Sequence, residues 1–200
     1  MQVLYARPQQ VWGSYALSGK RVVDLALVIL CAPLWLPLIA LLWLGSWIEA
    51  GQGFYIEKRV GFGGQLFNCF KIRTMHCDVA RGCAAIKSAN DPRVTRWGRL
   101  LRRSSLDELP QLICVLKGEM SLVGPRPVPL PELSRYGAHQ MRYLALRPGL
   151  TGLWQVSGRN ALPYSARVAL DLRYGAQVSF RTDMGILLAT LREIWRMSGR

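Results

Sequence analysis

Between Arg102 and Pro127 the chain reads RRSSLDELPQLICVLKGEMSLVGPRP, which gathers two adjacent carboxylates, three arginines and a stiff Gly-Pro loop. Asp107 and Glu108 can supply a nucleophile and a ligand for a hard cation, while Arg102, Arg103 and Arg126 can neutralise phosphate oxygens. That combination suits catalysis on an anionic, metal-bound substrate. The same spacing also has a purely structural explanation, a capping box from Ser105 to Glu108 with acids in a helix's first turn.

These residues need elements to hold them. RVTRWGRLLRR, Arg93 to Arg103, repeats Val94, Trp97, Leu100 and Leu101 at helical spacing, with arginines on much of the opposite face. Such a helix can lie on anionic phospholipid, and its last arginines also complement the helix dipole. A second helix is expected within Leu106 to Lys117, with Pro110 disturbing its first turn and Gly118 as its stop. GPRPVPLP, Gly124 to Pro131, carries four prolines and should be extended, presenting Arg126 with little conformational freedom. The turn-rich RPGLTGLWQVSGRN ends by presenting Arg159. Gln52 to Met75 reads as a small hairpin around GFGG, with Lys71 and Arg73 near its end, whose plain explanation is a solvated basic edge. Residues 76–92 read as a mobile loop. Leu187, Leu188, Leu191, Ile194 and Trp195 make one helical face, suited either to a headgroup layer or to ordinary core packing.

From Leu25 to Ile48 no residue is charged, a run longer than the roughly 20 residues a spanning helix requires. The run is too long, and too far from the start, for a signal-peptide core, and a soluble core helix is rarely apolar on every side. Pro33 and Pro37 each remove a backbone donor, so the helix should bend. Lys20 and Arg21 precede the run and Lys58 and Arg59 follow it, leaving no preferred crossing direction by positive charge. A hairpin that breaks near Ala32-Pro33 keeps both basic flanks on one face. Groups freed at the break then need partners from the protein, because lipid offers none.

With 26 Lys+Arg against 12 Asp+Glu, the formal charge is +14 and an anionic partner is expected. Five cysteines without close CxxC pairing favour free thiols in a reducing compartment. His76, Cys77 and Cys83 have no second cluster to complete a zinc site.

Taken together, KRVVD (Lys20 to Asp24), the proline-broken apolar segment, FKIRTM (Phe70 to Met75), DPRVTRWGRLLRRSSLDELPQL, LKGEMSLVGPRP, RPGLTGLWQVSGR and D-x-x-Y followed by SFRTDMGIL resemble the bacterial sugar transferases known as monotopic phosphoglycosyl transferases. The likeness covers nearly the whole chain. It implies an α+β, mostly helical fold: an N-terminal leader and re-entrant hairpin over 1–50, then a catalytic domain with interfacial helices and a small irregular β element over 51–200. No large N-terminal membrane domain precedes the motifs, so the minimal catalytic form is expected.

The resemblance further implies transfer of a sugar 1-phosphate from a UDP-sugar to undecaprenyl phosphate, with release of UMP, at the cytoplasmic face of the bacterial inner membrane. Asp107 takes the nucleophile's place and forms an aspartyl phosphosugar; at its ordinary pKa of ~3.9 it is ionised at neutral pH without a general base. Mg²⁺ is expected at Glu108. Lys71, Arg102 and Asp183 match polar active-site positions, Arg126 the uridine-binding region, and Arg159 a further phosphate contact. Arg103 adjoins Arg102 and is the alternative at that position, and Asp183 has a second explanation as a helix cap. Ala32-Pro33 stands where some members carry Ser-Pro, which removes a hydroxyl from the break, and Glu57 stands where Gln is common. The sugar is not identified, though a hexose for an exopolysaccharide is the reading favoured.

The competing class is a basic, membrane-associated nucleic-acid binder or a silent adaptor. No groove-entering helix or aromatic stacking module is apparent, so no nucleic-acid partner is expected. The exposed apolar surfaces suit lipid or a homodimer contact.

Overall fold

The computed structural model describes residues 15–76 and 91–195. The loop expected over 76–92 falls almost wholly outside them, as do Cys77 and Cys83.

A π-helical turn, Tyr15–Gly19, leads into α1 (Lys20–Leu30) and α2 (Ala32–Ala50). The break between the helices sits on Cys31, at φ −87° and ψ 0°, one residue ahead of the expected Ala32-Pro33. Pro33 is instead in the first turn of α2, where its missing N–H leaves no helical bond unmade. The Cys31 amide still reaches back to the Leu27 carbonyl, and the amides of Leu34 and Trp35 return to the Cys31 carbonyl. The Val28 carbonyl takes the indole N–H of Trp35 at 2.9 Å. A side chain in the first turn of α2 thereby gives a carbonyl at the end of α1 a partner from the protein. Pro37 lies inside α2 without ending it.

Although α2 is apolar all round, only one stripe faces the protein: Trp35, Ile39, Leu42 and Ser46 are buried, at helical spacing. Leu34, Leu36, Leu41 and Ile48 point outward. By length and composition this is a helix able to cross a membrane.

β1 (Phe54–Val60) and β2 (Leu66–Ile72) pair antiparallel from Phe54↔Ile72 to Val60↔Leu66, forming the expected hairpin. The period of two puts Lys71 on the face of β2 that buries Phe67 and Cys69, so its amine is directed inward.

α3 (Arg96–Ser104) begins three residues later than the periodicity suggests. Thr95 is its cap, with Oγ1 accepting the Gly98 amide at 2.8 Å. The Glu49 carboxylate, from the end of α2, accepts the amides of Arg96 and Trp97 at 2.9 Å each. Gly98 lets the helix press on the chain just after β2: a Cβ there would lie 2.2 Å from the Thr74 carbonyl oxygen. A 3₁₀ turn, Leu106–Glu108, precedes α4 (Gln111–Lys117), with Pro110 as the residue that enters α4 and Gly118, at φ +83°, as its stop.

The short parallel strands β3 (Ser121–Val123) and β4 (Gly149–Thr151) pair Ser121↔Gly149 and Val123↔Thr151. Between them Pro129 is extended, at φ −68° and ψ 155°, but Leu130–His139, which includes Pro131 of the stretch expected to be extended, coils into 3₁₀ turns before α5 (Gln140–Leu144). The turn-rich stretch after β4 forms α6 (Leu153–Val156) and a 3₁₀ turn, Arg159–Ala161. α7 (Tyr164–Ala176) and α8 (Phe180–Trp195) complete the described chain. Helical content thus dominates two small sheets.

One core joins Val28, Trp35 and Leu42 of the first two helices to Cys69, Leu101, Val115, Met120 and Tyr174. A smaller one joins Val60, Val128, Tyr136, Tyr143 and Val168. KRVVD fastens α1 to the rest. Arg21 donates to the last carbonyls of α4, reaching Leu116 at 3.0 Å. Asp24 accepts from the Ser121 hydroxyl at 2.6 Å and the Leu122 amide at 3.2 Å.

Candidate active site

Ser105 ends α3 with a left-handed backbone, φ +59°, and turns the chain so that Asp107 and Glu108 leave on a single 3₁₀ turn. The capping box does not form. The Ser105 hydroxyl instead accepts the Arg159 guanidinium at 2.9 Å, and the Glu108 amide goes to the Ser105 carbonyl.

Glu108 is the electrostatic hub. Lys71 Nζ donates to Oε1 at 2.8 Å, and Arg126 forms a two-pronged pair, Nη2 to Oε1 and Nη1 to Oε2 at 3.1 Å. Lys71 is therefore not a solvated edge charge. Burial alone would raise the Glu108 carboxyl, but Arg126 and Lys71 overcome that and hold it well below the usual carboxylate range. Asp107, half-buried beside it, accepts no hydrogen bond from any described residue. Desolvation first, then the Glu108 charge, push its carboxyl up to about 6 despite Lys71, Arg102 and Arg126. That corrects the expectation of an ordinary pKa: the cause is burial, which the linear sequence does not express.

Arg102 Nε donates to Thr74 Oγ1 at 2.8 Å, and its charge acts on Asp107. Arg103 is exposed. Of the two neighbours, Arg102 is the one turned toward the carboxylates.

The Pro-Arg-Pro loop is held from behind. The Tyr143 hydroxyl donates to the Arg126 carbonyl at 3.1 Å and accepts the Val128 amide at 3.2 Å. Arg59 donates to the Pro127 carbonyl at 3.0 Å. Tyr136 lies against Tyr143, ring centroids 4.5 Å apart, and its hydroxyl donates to Asp171 Oδ2 at 2.8 Å. Asp171 is 3% exposed, and burial pushes its carboxyl up to about 7 against the Tyr136 hydrogen bond and Arg126. Glu57 forms an ion pair with Arg59 on the same strand.

Asp183 does not join this group. Its buried carboxylate, 2% exposed, takes the Tyr174 hydroxyl on Oδ1 at 2.8 Å and both Tyr15 and Lys20 on Oδ2. These donors occupy it in the joint between α1, α7 and α8. Nor does its side chain cap α8, because the Ser179 hydroxyl accepts the Thr182 amide there.

The structure thus brings together Asp107, Glu108, Lys71, Arg102, Arg126 and Arg159, and sets Asp183 apart. Sequence reading missed Tyr143, Tyr136, Asp171 and Thr74. The only local signal was D-x-x-Y, whose Asp171 and Tyr174 both prove to be buried hydrogen-bonding groups.

Among the described residues no group of three or more His, Cys, Asp or Glu could hold a metal. Mg²⁺ commonly takes one or two carboxylates and completes its shell with water and substrate phosphate. The donor set fits that mode: Glu108 Oε2 accepts one bond, from Arg126, and retains a lone pair beside the Asp107 carboxylate.

Two carboxylates among cations, on the turn between α3 and α4, make a site suited to an anionic phosphate. The chain belongs to the bacterial sugar transferase family, whose profile matches residues 15–197. It is 41% identical over 195 residues to the undecaprenyl-phosphate galactose phosphotransferase of Salmonella typhimurium, covering 90% of this chain and 41% of that protein. It is 43% identical over 179 residues to the exopolysaccharide production protein ExoY of Rhizobium meliloti, covering 82% and 78%. It is 41% identical over 181 residues to the UDP-glucose:undecaprenyl-phosphate glucose-1-phosphate transferase of Caulobacter vibrioides, covering 86% and 68%. The chain therefore spans less than half the length of the Salmonella relative and most of the other two.

Proposed function

We propose that this protein transfers a hexose 1-phosphate from a UDP-sugar to undecaprenyl phosphate, releasing UMP, as a first membrane step of exopolysaccharide, capsule or O-antigen assembly. The observation that carries the reading is the division of labour in the acidic pair: Glu108 is neutralised by Lys71 and Arg126, while Asp107 accepts no hydrogen bond from a described residue. A carboxylate left open beside three cations suits attack on a phosphorus atom that is itself anionic.

In the proposed reaction an Asp107 oxygen bonds to the β-phosphorus as the bond to the UMP oxygen breaks, giving an aspartyl phosphosugar and UMP. A phosphate oxygen of undecaprenyl phosphate then bonds to the same phosphorus and releases the Asp107 carboxylate. Arg126, on its rigid loop, receives the nucleotide phosphate; Lys71 and Arg102 offset the meeting of anions. Mg²⁺, when bound at Glu108, supplies further neutralisation of phosphate oxygens.

We place the site at the cytoplasmic face of the inner membrane, with α1 and α2 as a re-entrant hairpin. Supporting this, Lys20, Arg21 and Asp24 fasten the start of α1 to the body that carries the site, and Glu49 fastens the end of α2 to it. Two ends held by one compact body share one side of a bilayer. Lys20 spends its charge on Asp183 and the Arg21 side chain is turned to the end of α4, while Arg96, Arg99 and Arg103 of α3 are exposed and suit contact with anionic phospholipid. The outward apolar faces of α2 and α8 suit lipid, or a second copy of the chain.

The test is UMP release from a panel of UDP-sugars by the purified protein with Mg²⁺ and undecaprenyl phosphate, beside Asp107→Asn. Release with one donor, abolished in the variant, supports the reading. Undiminished release by Asp107→Asn would refute it.

A further inference from the structure

Among the described residues, two that are not glycine hold a left-handed backbone: Ser105 at φ +59° and Arg159 at φ +52°. They are 54 positions apart and bonded to each other, Arg159 Nη2 donating to Ser105 Oγ at 2.9 Å. A left-handed backbone is unfavourable for residues with a Cβ, and when it recurs on both partners of one contact beside a reactive group it marks geometry kept at the expense of stability. Gly158, next to Arg159, also has positive φ, where a glycine carries no penalty.

Every polar group of Ser105 is engaged. Its amide goes to the Arg102 carbonyl at 3.3 Å, its carbonyl takes the Glu108 amide at 3.3 Å, and its hydroxyl takes Arg159. The residue thus ties the end of α3, the acidic turn and the loop after α6 into one knot, two positions ahead of Asp107. A hydroxyl is neutral, so it orients the guanidinium without cancelling its charge.

We propose that Ser105 is a positioning residue: its hydroxyl holds Arg159 beside the turn that presents Asp107, aiming a cation at the phosphate on which Asp107 acts. The inference rests on the reading given under the proposed function. Arg159 held in this way acts as charge develops during attack, so Ser105 governs the rate of aspartyl phosphosugar formation more than donor binding.

The experiment compares wild type, Ser105→Ala, Ser105→Gly, Arg159→Ala and the Ser105→Ala/Arg159→Ala double variant, all as full chains in detergent. The readouts are the UMP burst, the donor KM and the melting temperature. Both Ser105 variants should slow the burst about tenfold with KM changed less than about twofold. Ser105→Gly should melt at or above the wild-type temperature, because glycine relieves the backbone, so stability and rate part company. The double variant should be no slower than Arg159→Ala alone, since one contact is removed twice. A wild-type burst in Ser105→Gly, or full additivity in the double variant, would overturn the proposal while leaving the transferase reading intact. Absence of any UMP release from folded wild type with every donor would overturn both.

Discussion

The ammonium of Lys20 lies 2.6 Å from Oδ2 of Asp183, joining residues 163 positions apart at the point where α1 meets α8. Both side chains are largely buried, and Asp183 also takes two tyrosine hydroxyls. Removing one partner of such a pair leaves the other charged in a poor solvent for charge, at a cost of about 3 kcal/mol. Asp183→Asn should therefore lower the melting temperature by roughly 6–12 °C and leave the donor KM unchanged. A tenfold rise in KM without loss of stability would return Asp183 to the substrate.

Glu108→Gln should do harm of two kinds. Lys71 and Arg126 would face an amide instead of a carboxylate, which costs about 2 kcal/mol of stability. The freed cations would also bind phosphate without the geometry Glu108 imposes. We expect a lower melting temperature and a loss of turnover larger than any change in donor KM, read by denaturation and steady-state kinetics on the same preparation.

Attack by Asp107 requires its ionised form, and burial with the Glu108 charge raises its pKa to about 6. The single-turnover rate should then fall about tenfold per pH unit below that value and flatten above it. Arg102 lowers this pKa, so Arg102→Gln should move the acidic limb toward higher pH. A limb that stays at the ordinary carboxylate value would show that Asp107 is well solvated.

Asp171 offers a separate titration. Its folded pKa of about 7 lies above the ordinary value, so the folded state binds the extra proton. Its contribution is complete below about pH 4 and is lost as pH rises through 7, at a slope of up to about 1.4 kcal/mol per pH unit. Melting temperature should decline from pH 5 to pH 8, and Asp171→Asn should flatten much of that decline. An unchanged slope in the variant would assign the titration elsewhere.

Trp35→Phe removes the indole donor from the Val28 carbonyl while keeping an aromatic ring. Loss of that bond should cost about 1 kcal/mol, a drop of about 2–4 °C in bilayer nanodiscs. Should Trp35→Phe melt like wild type, the break is held by backbone alone.

Signals carried by neighbours in the chain were legible. Gly118 ends α4, GFGG turns the hairpin, and the apolar run bends ahead of Pro33. The acidic pair and its cations were readable as chemistry because charge type alone restricts what such a group can bind. What failed depended on folding. The Ser105–Glu108 capping box gave way to a contact with Arg159, 54 positions on; α3 starts at Arg96 because Thr95 and a distant Glu49 cap it. Asp107 lost its ordinary pKa to burial. Tyr143, which carries the Pro-Arg-Pro loop, has no nearby partner in sequence to announce it.

The carboxylate of Glu49 also has a mechanical meaning. It closes over the first amides of α3, and Trp97 packs against α2 so closely that a Cβ at Gly45 would sit 2.7 Å from its indole nitrogen. α2 and α3 are thus two arms of one elbow, and Arg102 rides near the far tip of the shorter arm, roughly 9 Å from its start. In the proposed membrane placement, tilting the long arm would move the shorter one with it, and with it Arg102, whose charge acts on Asp107.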